Sequence, residues 1–318
     1  MKAPNVIERA IRNPQSAAEG SARHNQRPGT LYVVSTPIGN LEDITLRALK
    51  VLRVVDTIAA ENSARTRGLC EHYGIKSRLT SFHQHNQHVK IERLINRLKS
   101  GRDLAFVTDA GTPGISDPGG YLVNRVVEEG IKAVPVPGPC AVVAALSVSG
   151  LPTNRFVFVG FMSTKPGKRK RELEKLVSET RTMVFFEAPH RIKAMLADLF
   201  QILGDRQMVL HRELTKLFEE AERGPVSHIL ESLTPEKTRG EFTLVVAGNE
   251  AQRKARGLNK RALDRLEGLL REKTMSTKDI AKLVSNEEGL AYRKVYKECL
   301  ARKGAFEGFE TDGIGQET

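Results

Sequence analysis

The sequence predicts an α/β protein of two domains followed by a small helical module. Three observations carry that expectation. Short apolar runs alternate with amphipathic segments from Leu31 onward, the pattern of strands joined by crossover helices. At 318 residues the chain is longer than a single core usually grows. After Gly248 the strand-length apolar runs stop, and the composition turns basic and helical. The expected divisions are a polar extension over 1–28, a first α/β domain over 29–149, a second over 150–250, a basic helical module over 251–303 and an acidic tail over 304–318.

Order is expected to begin near Thr30. Leu31–Val34 reads as a strand that runs into Ser35-Thr36-Pro37-Ile38-Gly39-Asn40, and a helix follows from about Thr45 with Leu46, Leu49 and Leu52 on one face. Thr57–Ala60 is a short strand before a helix around Arg65–His72. A helix over His88–Lys99 leads through Gly101 to the strand Leu104–Val107. Ile131–Val136 forms another strand, closed by Pro137-Gly138-Pro139 and an apolar helix over Cys140–Val148. Strand-helix alternation at these spacings implies a mostly parallel sheet with right-handed crossovers.

The run from Gly150 to Asn154 reads as a hinge. Beyond it, apolar runs at Phe156–Phe161, Thr182–Phe186, Met208–His211 and Phe242–Ala247 alternate with helices near Lys168–Ser178 and Ile192–Ile202, a second α/β unit. Ser276, three residues before Asp279, fits a capping box. Helices over Thr277–Val284 and Leu290–Leu300, joined through Gly289, form a pair resembling a helix-turn-helix.

Charge narrows the class of partner. The formal net charge is +12, with 50 Lys and Arg, and basic excess on a folded surface raises the local concentration of polyanions. From Ala251 to Lys303 there are 15 Lys and Arg against 7 Asp and Glu, and Lys165–Arg171 (KPGKRKR) adds a second patch on an expected loop. No apolar run reaches the roughly 18 residues that would span a bilayer, and the first residues lack a secretory signal, so a soluble cytoplasmic protein is expected. Cys70, Cys140 and Cys299 are far apart without CxxC spacing, which disfavours a disulfide framework or a thiolate metal site.

Phe106–Gly120 (FVTDAGTPGISDPGG) is the most informative stretch. It leaves the end of a buried strand and holds four glycines, two prolines and two aspartates, a composition that lets backbone turn sharply and approach a ligand. Two further loops at expected strand ends are rich in Pro, Gly and small polar residues: 36–40 and 136–139. In open α/β sheets ligands sit beyond the carboxyl ends of the strands, and three converging loops define a pocket there. There is no GxxxxGK[ST] loop, no GxGxxG after the first strand and no HExxH, which disfavours a nucleoside triphosphatase, a dinucleotide dehydrogenase and a zincin.

The runs Ser35–Leu49 (STPIGNLEDITLRAL), Phe106–Gly119, Val136–Leu146 (VPGPCAVVAAL) and Thr238–Gly248 (TRGEFTLVVAG) closely resemble the tetrapyrrole methylase superfamily, and within it the ribosomal RNA small-subunit methyltransferase I branch. The resemblance covers roughly residues 30–303. It implies a tetrapyrrole-methylase-like fold, two α/β domains with S-adenosyl-L-methionine in the cleft between them, and a homodimer. It further implies methylation of the ribose 2′-oxygen of cytidine 1402 in 16S rRNA, free or within the 30S subunit. Cys140 stands where many relatives have serine, which affects a hydroxyl contact and not the backbone.

The cofactor-binding residues expected on this basis are Pro37, Gly39, Asn40, Thr108, Asp109, Ala110, Gly111, Thr112, Pro113, Ser116, Pro137, Gly138 and Ala141. Backbone N–H groups over Gly111–Gly114 suit a carboxylate, and Asp109 either faces the cationic end of the cofactor or caps its own loop. The turn into the helix at Cys140 presents N–H groups to a polar moiety or is an ordinary helix entry. A ribose hydroxyl is a weak acid, so a base must take its proton. Glu61, Glu187 and Glu213 stand at or near strand ends and are the candidates, beside His190.

For RNA, the expected contacts are Lys165, Lys168, Arg169, Lys170 and Arg171, with Arg65, Arg191 and Arg212 suited to grip phosphates. His83, His85 and His88 are too loosely spaced for a metal site, and methyl transfer from a sulfonium needs no Lewis acid; a polar loop beside RNA, with Phe82 able to stack on bases, fits better. Two rivals are a methylase of corrinoid or porphyrin precursors with the same fold, and a nucleic-acid-binding regulator whose α/β body senses a ligand. The basic patches disfavour the first and the three loops the second.

Overall fold

The computed structural model describes residues 27–83, 87–117, 119–249, 258, 260–272 and 274–309. Most of the expected extension (1–26), His85, Pro118, the basic stretch 250–257 and the tail beyond Phe309 lie outside the described residues. The chain forms two units. One holds the described residues through Thr36 together with Ile44–Gly138, and the other holds Pro37–Asp43 together with the described residues from Pro139.

The first unit is a parallel sheet between two helix layers. Its strands β1 (Leu31–Val34), β2 (Thr57–Ala60), β3 (Arg78–Ser81), β4 (Leu104–Val107) and β5 (Ala133–Val136) lie in the order β3-β2-β4-β1-β5, every neighbour parallel. Helices α1 (Leu46–Val54) and α2 (Ser63–His72) pack on one face, where Leu49, Leu52 and Leu69 meet Val34, Ile58 and Val107. Helices α3 (Gln87–Lys99) and α4 (Gly120–Glu128) cover the other, where Ile95 and Leu122 meet Leu31, Leu104 and Phe106. Both faces of the sheet are therefore apolar, as all-parallel sheets require. Thr45 caps α1 by accepting the Ala48 N–H (3.1 Å), and Asn62 caps α2.

This wiring places a crevice. The chain leaves β1 for a helix on one face and β4 for a helix on the other, and β1 and β4 are adjacent, so the connections diverge beyond their carboxyl ends. Such a switch point is where open α/β sheets bind ligands.

The second unit contains a mixed sheet. Strands β6 (Phe156–Phe161), β7 (Thr182–Glu187), β8 (Gln207–Arg212), β9 (Glu220–Pro225) and β10 (Phe242–Val246) lie in the order β6-β7-β10-β8-β9, with only β6 and β7 parallel. Helices α6 (Pro166–Glu174), α7 (Ile192–Leu203) and α8 (Val226–Ser232) cover one face. The other face is covered by α5 (Ala141–Ser147), whose Val142, Ala145 and Leu146 pack on Val184, Val209 and Val245. That packing puts the division at Gly138/Pro139, ahead of the expected 149/150, because the apolar side of α5 belongs to the second core.

The described residues of the module at the end form three helices, α9 (Lys260–Glu272), α10 (Thr277–Glu288) and α11 (Tyr292–Phe309), around Leu266, Ile280, Val284, Val295 and Cys299. Ser276 caps α10 as expected, accepting the Asp279 N–H at 3.2 Å while its hydroxyl donates to the Asp279 carboxylate (2.6 Å). Gly289 ends α10 at φ +62°, the left-handed conformation that suits glycine. The final helix continues through Phe309, past its expected end at Leu300 and past the expected end of the module at 303. No helix among the described residues is long and apolar enough to cross a membrane.

Candidate functional site

The loops at the switch point are stitched together by backbone. The Thr36 N–H donates to the Gly111 carbonyl (2.9 Å), and the Gly111 N–H donates to the Thr36 carbonyl (3.0 Å). Thr36 Oγ1 donates to the Thr108 carbonyl (3.2 Å), and the hydroxyls of Ser35 and Thr112 are 2.9 Å apart. On the β5 side Gly138 lies against Ser35; a Cβ there would stand 3.0 Å from the Ser35 Cβ, so only glycine sits without a shift. Thr108–Thr112, Pro113, Ser116, Pro137 and Gly138 thus surround the carboxyl ends of β4, β1 and β5.

The 108–117 loop owes its course to positive φ at Gly111 (+77°) and Gly114 (+86°), and also at Ser116 (+63°), where a side chain makes the conformation costly. The Gly111 N–H is consumed by Thr36, so it is a tie of the cradle and not a donor to a ligand; the Gly114 N–H has no partner among the described residues. Asp109 Oδ1 is shut from solvent and has no hydrogen-bond partner among the described residues, an acceptor that suits a donor.

Three carboxylates gather at this end. Glu61 follows β2 and accepts the Asp109 N–H through Oε2 (3.3 Å). Burial raises the Glu61 pKa, against the pull of that N–H, and the nearby Asp109 charge adds to the rise. Asp117 is pushed up to about 6, first by burial and then by the Glu61 charge, with the Thr108 hydroxyl drawing it partly back. Sequence reasoning passed over Asp117, which reads as one more turn residue in a Gly/Pro loop. Arg65 reaches Asp109 at 3.5 Å and is otherwise solvent-facing.

The remaining expected site residues fall in the second unit. Gly39 packs on the turn after β8: a Cβ there would meet Lys216 Cγ at 2.5 Å and Leu214 O and Thr215 Oγ1 at 2.8 Å. Asn40 holds its own turn, its Oδ1 accepting the Glu42 N–H (3.0 Å). Pro37 shares that segment, and Ala141 opens α5.

Two of the three expected bases are committed elsewhere. The Glu187 side chain is fully buried, with Oε1 3.0 Å from Arg191 Nε and Oε2 accepting Arg191 Nη2 (3.1 Å). Glu213 is held by Lys216 Nζ (2.9 Å) and the Glu241 N–H (2.9 Å); burial opposes them, but together they keep its pKa below the usual value. Glu61 alone lies beside the loop cradle.

The basic run Lys165–Arg171 is helical, with Lys165 at the cap of α6 and Pro166 at its first turn, correcting the expected loop. Its cations divide. Arg169 is buried and donates to Asp198 (Nε–Oδ2 2.7 Å), so it is an internal ion pair and does not present its charge to a partner. Lys165, Lys168 and Arg171 are exposed, and Lys170 bonds Gln201 (3.0 Å) near Asp198. Arg191 is likewise turned inward, to Glu187 and the Met162 carbonyl (2.7 Å), and Arg212 to Glu220 (3.0 Å). Among the described residues no group of three His, Cys, Asp or Glu side chains is placed to hold a metal.

Residues 30–230 match the model of the tetrapyrrole (corrin/porphyrin) methylases. The ribosomal RNA small subunit methyltransferase I of Pseudomonas aeruginosa is 42% identical over 87% of this chain and 98% of that protein. Among solved structures, the cobalt precorrin-4 methyltransferase CbiF aligns with a TM-score of 0.54 at 18% identity, over 69% of this chain and 94% of that one. The uroporphyrin-III C-methyltransferase of Thermus thermophilus in complex with S-adenosylhomocysteine aligns with a TM-score of 0.50 at 18% identity, over 69% and 97%. The chain belongs to the tetrapyrrole methylase family and is a methyltransferase. Within that family it groups with the ribosomal RNA small subunit methyltransferase I proteins.

Proposed function

We propose that this chain transfers the methyl group of S-adenosyl-L-methionine to the ribose 2′-oxygen of a cytidine, cytidine 1402, in 16S rRNA, and that it works in the cytoplasm as a homodimer. The observation that carries the reading is the near full-length match to a protein named for methylating small-subunit ribosomal RNA. The +12 charge and the exposed lysines of α6 supply the attraction for a polyanion.

The loop cradle fits the cofactor. Its glycines remove side chains where a ligand must approach, the Gly114 N–H suits a carboxylate, and the partnerless Asp109 Oδ1 suits an ammonium or hydroxyl donor. When bound, the cofactor supplies a methyl already activated on a sulfonium. The task left to the protein is to hold donor and acceptor in line, where proximity is worth about 7–11 kcal/mol. A cradle cross-linked through Thr36 and Gly111 is stiff enough for that work.

Glu61 is the proton acceptor in this reading. Glu61 would accept the ribose hydroxyl proton on a carboxylate oxygen while the bound cofactor would give up its methyl, its carbon–sulfur bond breaking to leave a neutral thioether; burial and the Asp109 charge raise the Glu61 pKa, and the Glu61 charge in turn helps raise that of Asp117. A carboxylate held above its ordinary pKa by burial is a stronger base toward the ribose proton than a solvated one. The test is incubation with methyl-labelled S-adenosylmethionine and either naked 16S rRNA or assembled 30S particles. Label in the RNA of one substrate is the expected result; none in either contradicts the reading.

A further inference from the structure

A cavity of about 870 Å³ opens in the second unit at the end of the sheet away from Glu187 and Arg212: it is lined by Thr182 and Gln207, the first residues of β7 and β8, whose last residues those are. Arg155, from the segment before β6, and Lys175, Glu179 and Arg181, from the connection between α6 and β7, supply its charges. None of the functional residues considered above belongs to it.

The wall is built, not loose. Arg206, 9% exposed, sends its guanidinium only to carbonyls: Val177 (2.7 Å), Leu203 (3.0 Å), and Glu179 and Ala247 (3.4 Å each). The Asn249 N–H donates to the Glu179 carbonyl (2.6 Å), and Thr182 Oγ1 donates to the Pro152 carbonyl (2.6 Å). Gly248 makes the close approach possible, since a Cβ there would overlap the Thr180 backbone at 2.2 Å. A connection tied at this many points fixes the backbone that carries Lys175 and Arg181 before any ligand arrives, which lowers the cost of binding.

The charge does not balance. Among the described residues four cations (Arg155, Lys175, Arg181, Arg206) face or back the cavity against one carboxylate, Glu179. That carboxylate is spent on Arg181, accepting its Nε at 2.8 Å and Nη2 at 2.6 Å, contacts that hold its pKa down to about 2. The side chains of Arg155 and Lys175 have no hydrogen-bond or ion-pair partner among the described residues. A planar fork and a mobile ammonium on the rim of a preformed polar cavity match phosphate oxygens, and the volume lies within the range of small-ligand sites.

We propose that Arg155, Lys175 and Arg181 make this cavity a second binding site for the phosphate groups of an RNA chain, away from the carboxyl ends of its strands. The assignment rests on the reading that RNA is the methyl acceptor. It gives the protein a second, sequence-independent hold on the substrate, of the kind that fixes register without reading bases.

The test uses the full-length chain and its Arg155→Ala/Lys175→Ala variant, each titrated with a 16S rRNA fragment over a series of salt concentrations and, separately, with cytidine monophosphate. Two lost phosphate contacts should lower the slope of log K against log salt by about 1.4–1.8 and weaken RNA binding roughly tenfold at moderate salt. S-Adenosylmethionine affinity and the thermal midpoint should not change. An unchanged slope, with RNA binding intact, overturns this assignment alone, whereas failure of the wild-type chain to bind RNA overturns the acceptor reading as well. Cytidine monophosphate binding that the double variant abolishes, without any change in RNA slope, would make the cavity a free-nucleotide site and overturn the RNA assignment.

Discussion

Thr36 and Gly111 exchange two backbone hydrogen bonds, 2.9 and 3.0 Å long, and thereby lock the loop after β1 to the loop after β4 across the switch point of the first sheet. Gly111 can do this because its φ is +77°. Gly111→Val forces a β-branched side chain into that conformation at a cost of about 1–3 kcal/mol. The variant should stay folded and lose S-adenosylmethionine binding. Calorimetry with thermal unfolding checks both, and unchanged affinity contradicts the cradle.

Gly39 has a different duty, although the sequence groups it with the same pocket. Its missing Cβ makes room for Leu214 O, Thr215 Oγ1 and Lys216 Cγ in the turn that carries Glu213 and Thr215 at positive φ. Gly39→Ala must push backbone as well as side chain, and should destabilise the protein by about 1–3 kcal/mol. Denaturant unfolding with an unchanged midpoint would contradict the packing.

The pKa of Asp117 carries a sign. Raised from 3.8 to about 6 in the folded chain, it makes the native state hold more protons than the unfolded state between those values, so its contribution to stability falls as pH rises through that window. Asp117→Asn should therefore raise the thermal midpoint more at pH 8 than at pH 4. It should also remove the Glu61–Asp117 repulsion and move the acid limb of the pH–rate profile downward. Equal midpoint shifts at the two pH values contradict the burial argument.

Arg169 and its neighbours should separate cleanly. Arg169→Ala leaves buried Asp198 with only Lys170 Nζ, at 3.6 Å, among the described cations, and should cost about 3–5 kcal/mol while leaving the salt dependence of RNA binding alone. Lys165→Ala/Arg171→Ala should do the reverse, lowering the salt slope by about 1.4–1.8 with little change in stability. The same effect from both variants contradicts the division of α6 into an internal and an exposed face.

What could be read in advance depended on how local its signal was. The 108–117 loop announced itself because an apolar run followed by Gly111, Gly114 and Pro113 has few other uses. Most strands that fill the two cores are visible as apolar runs, but β3, Arg78–Ser81, is not, because Leu79 is its only large apolar residue. By contrast β9, Glu220–Pro225, is a polar edge strand without apolar alternation, and only its pairing with β8 makes it a strand. The apolar pattern of α5 shows that it is buried but not against which sheet, so the division of the chain shifts once Val142 and Leu146 are seen on Val184 and Val245. Arg169, Arg191 and Glu187 have the composition of a site but find one another or Asp198 inside the second unit. Asp117 is the opposite case. Its turn residues hid a carboxyl whose character comes from Glu61, far away in sequence.

The most direct measurement of the central claim is the position of the transferred methyl. Methylated 16S rRNA from the labelled reaction, digested to nucleosides and resolved by mass spectrometry, should yield 2′-O-methylcytidine, and fragments spanning cytidine 1402 should carry all of the label. Label on a cytosine base, on another nucleoside or on no nucleoside would contradict the account.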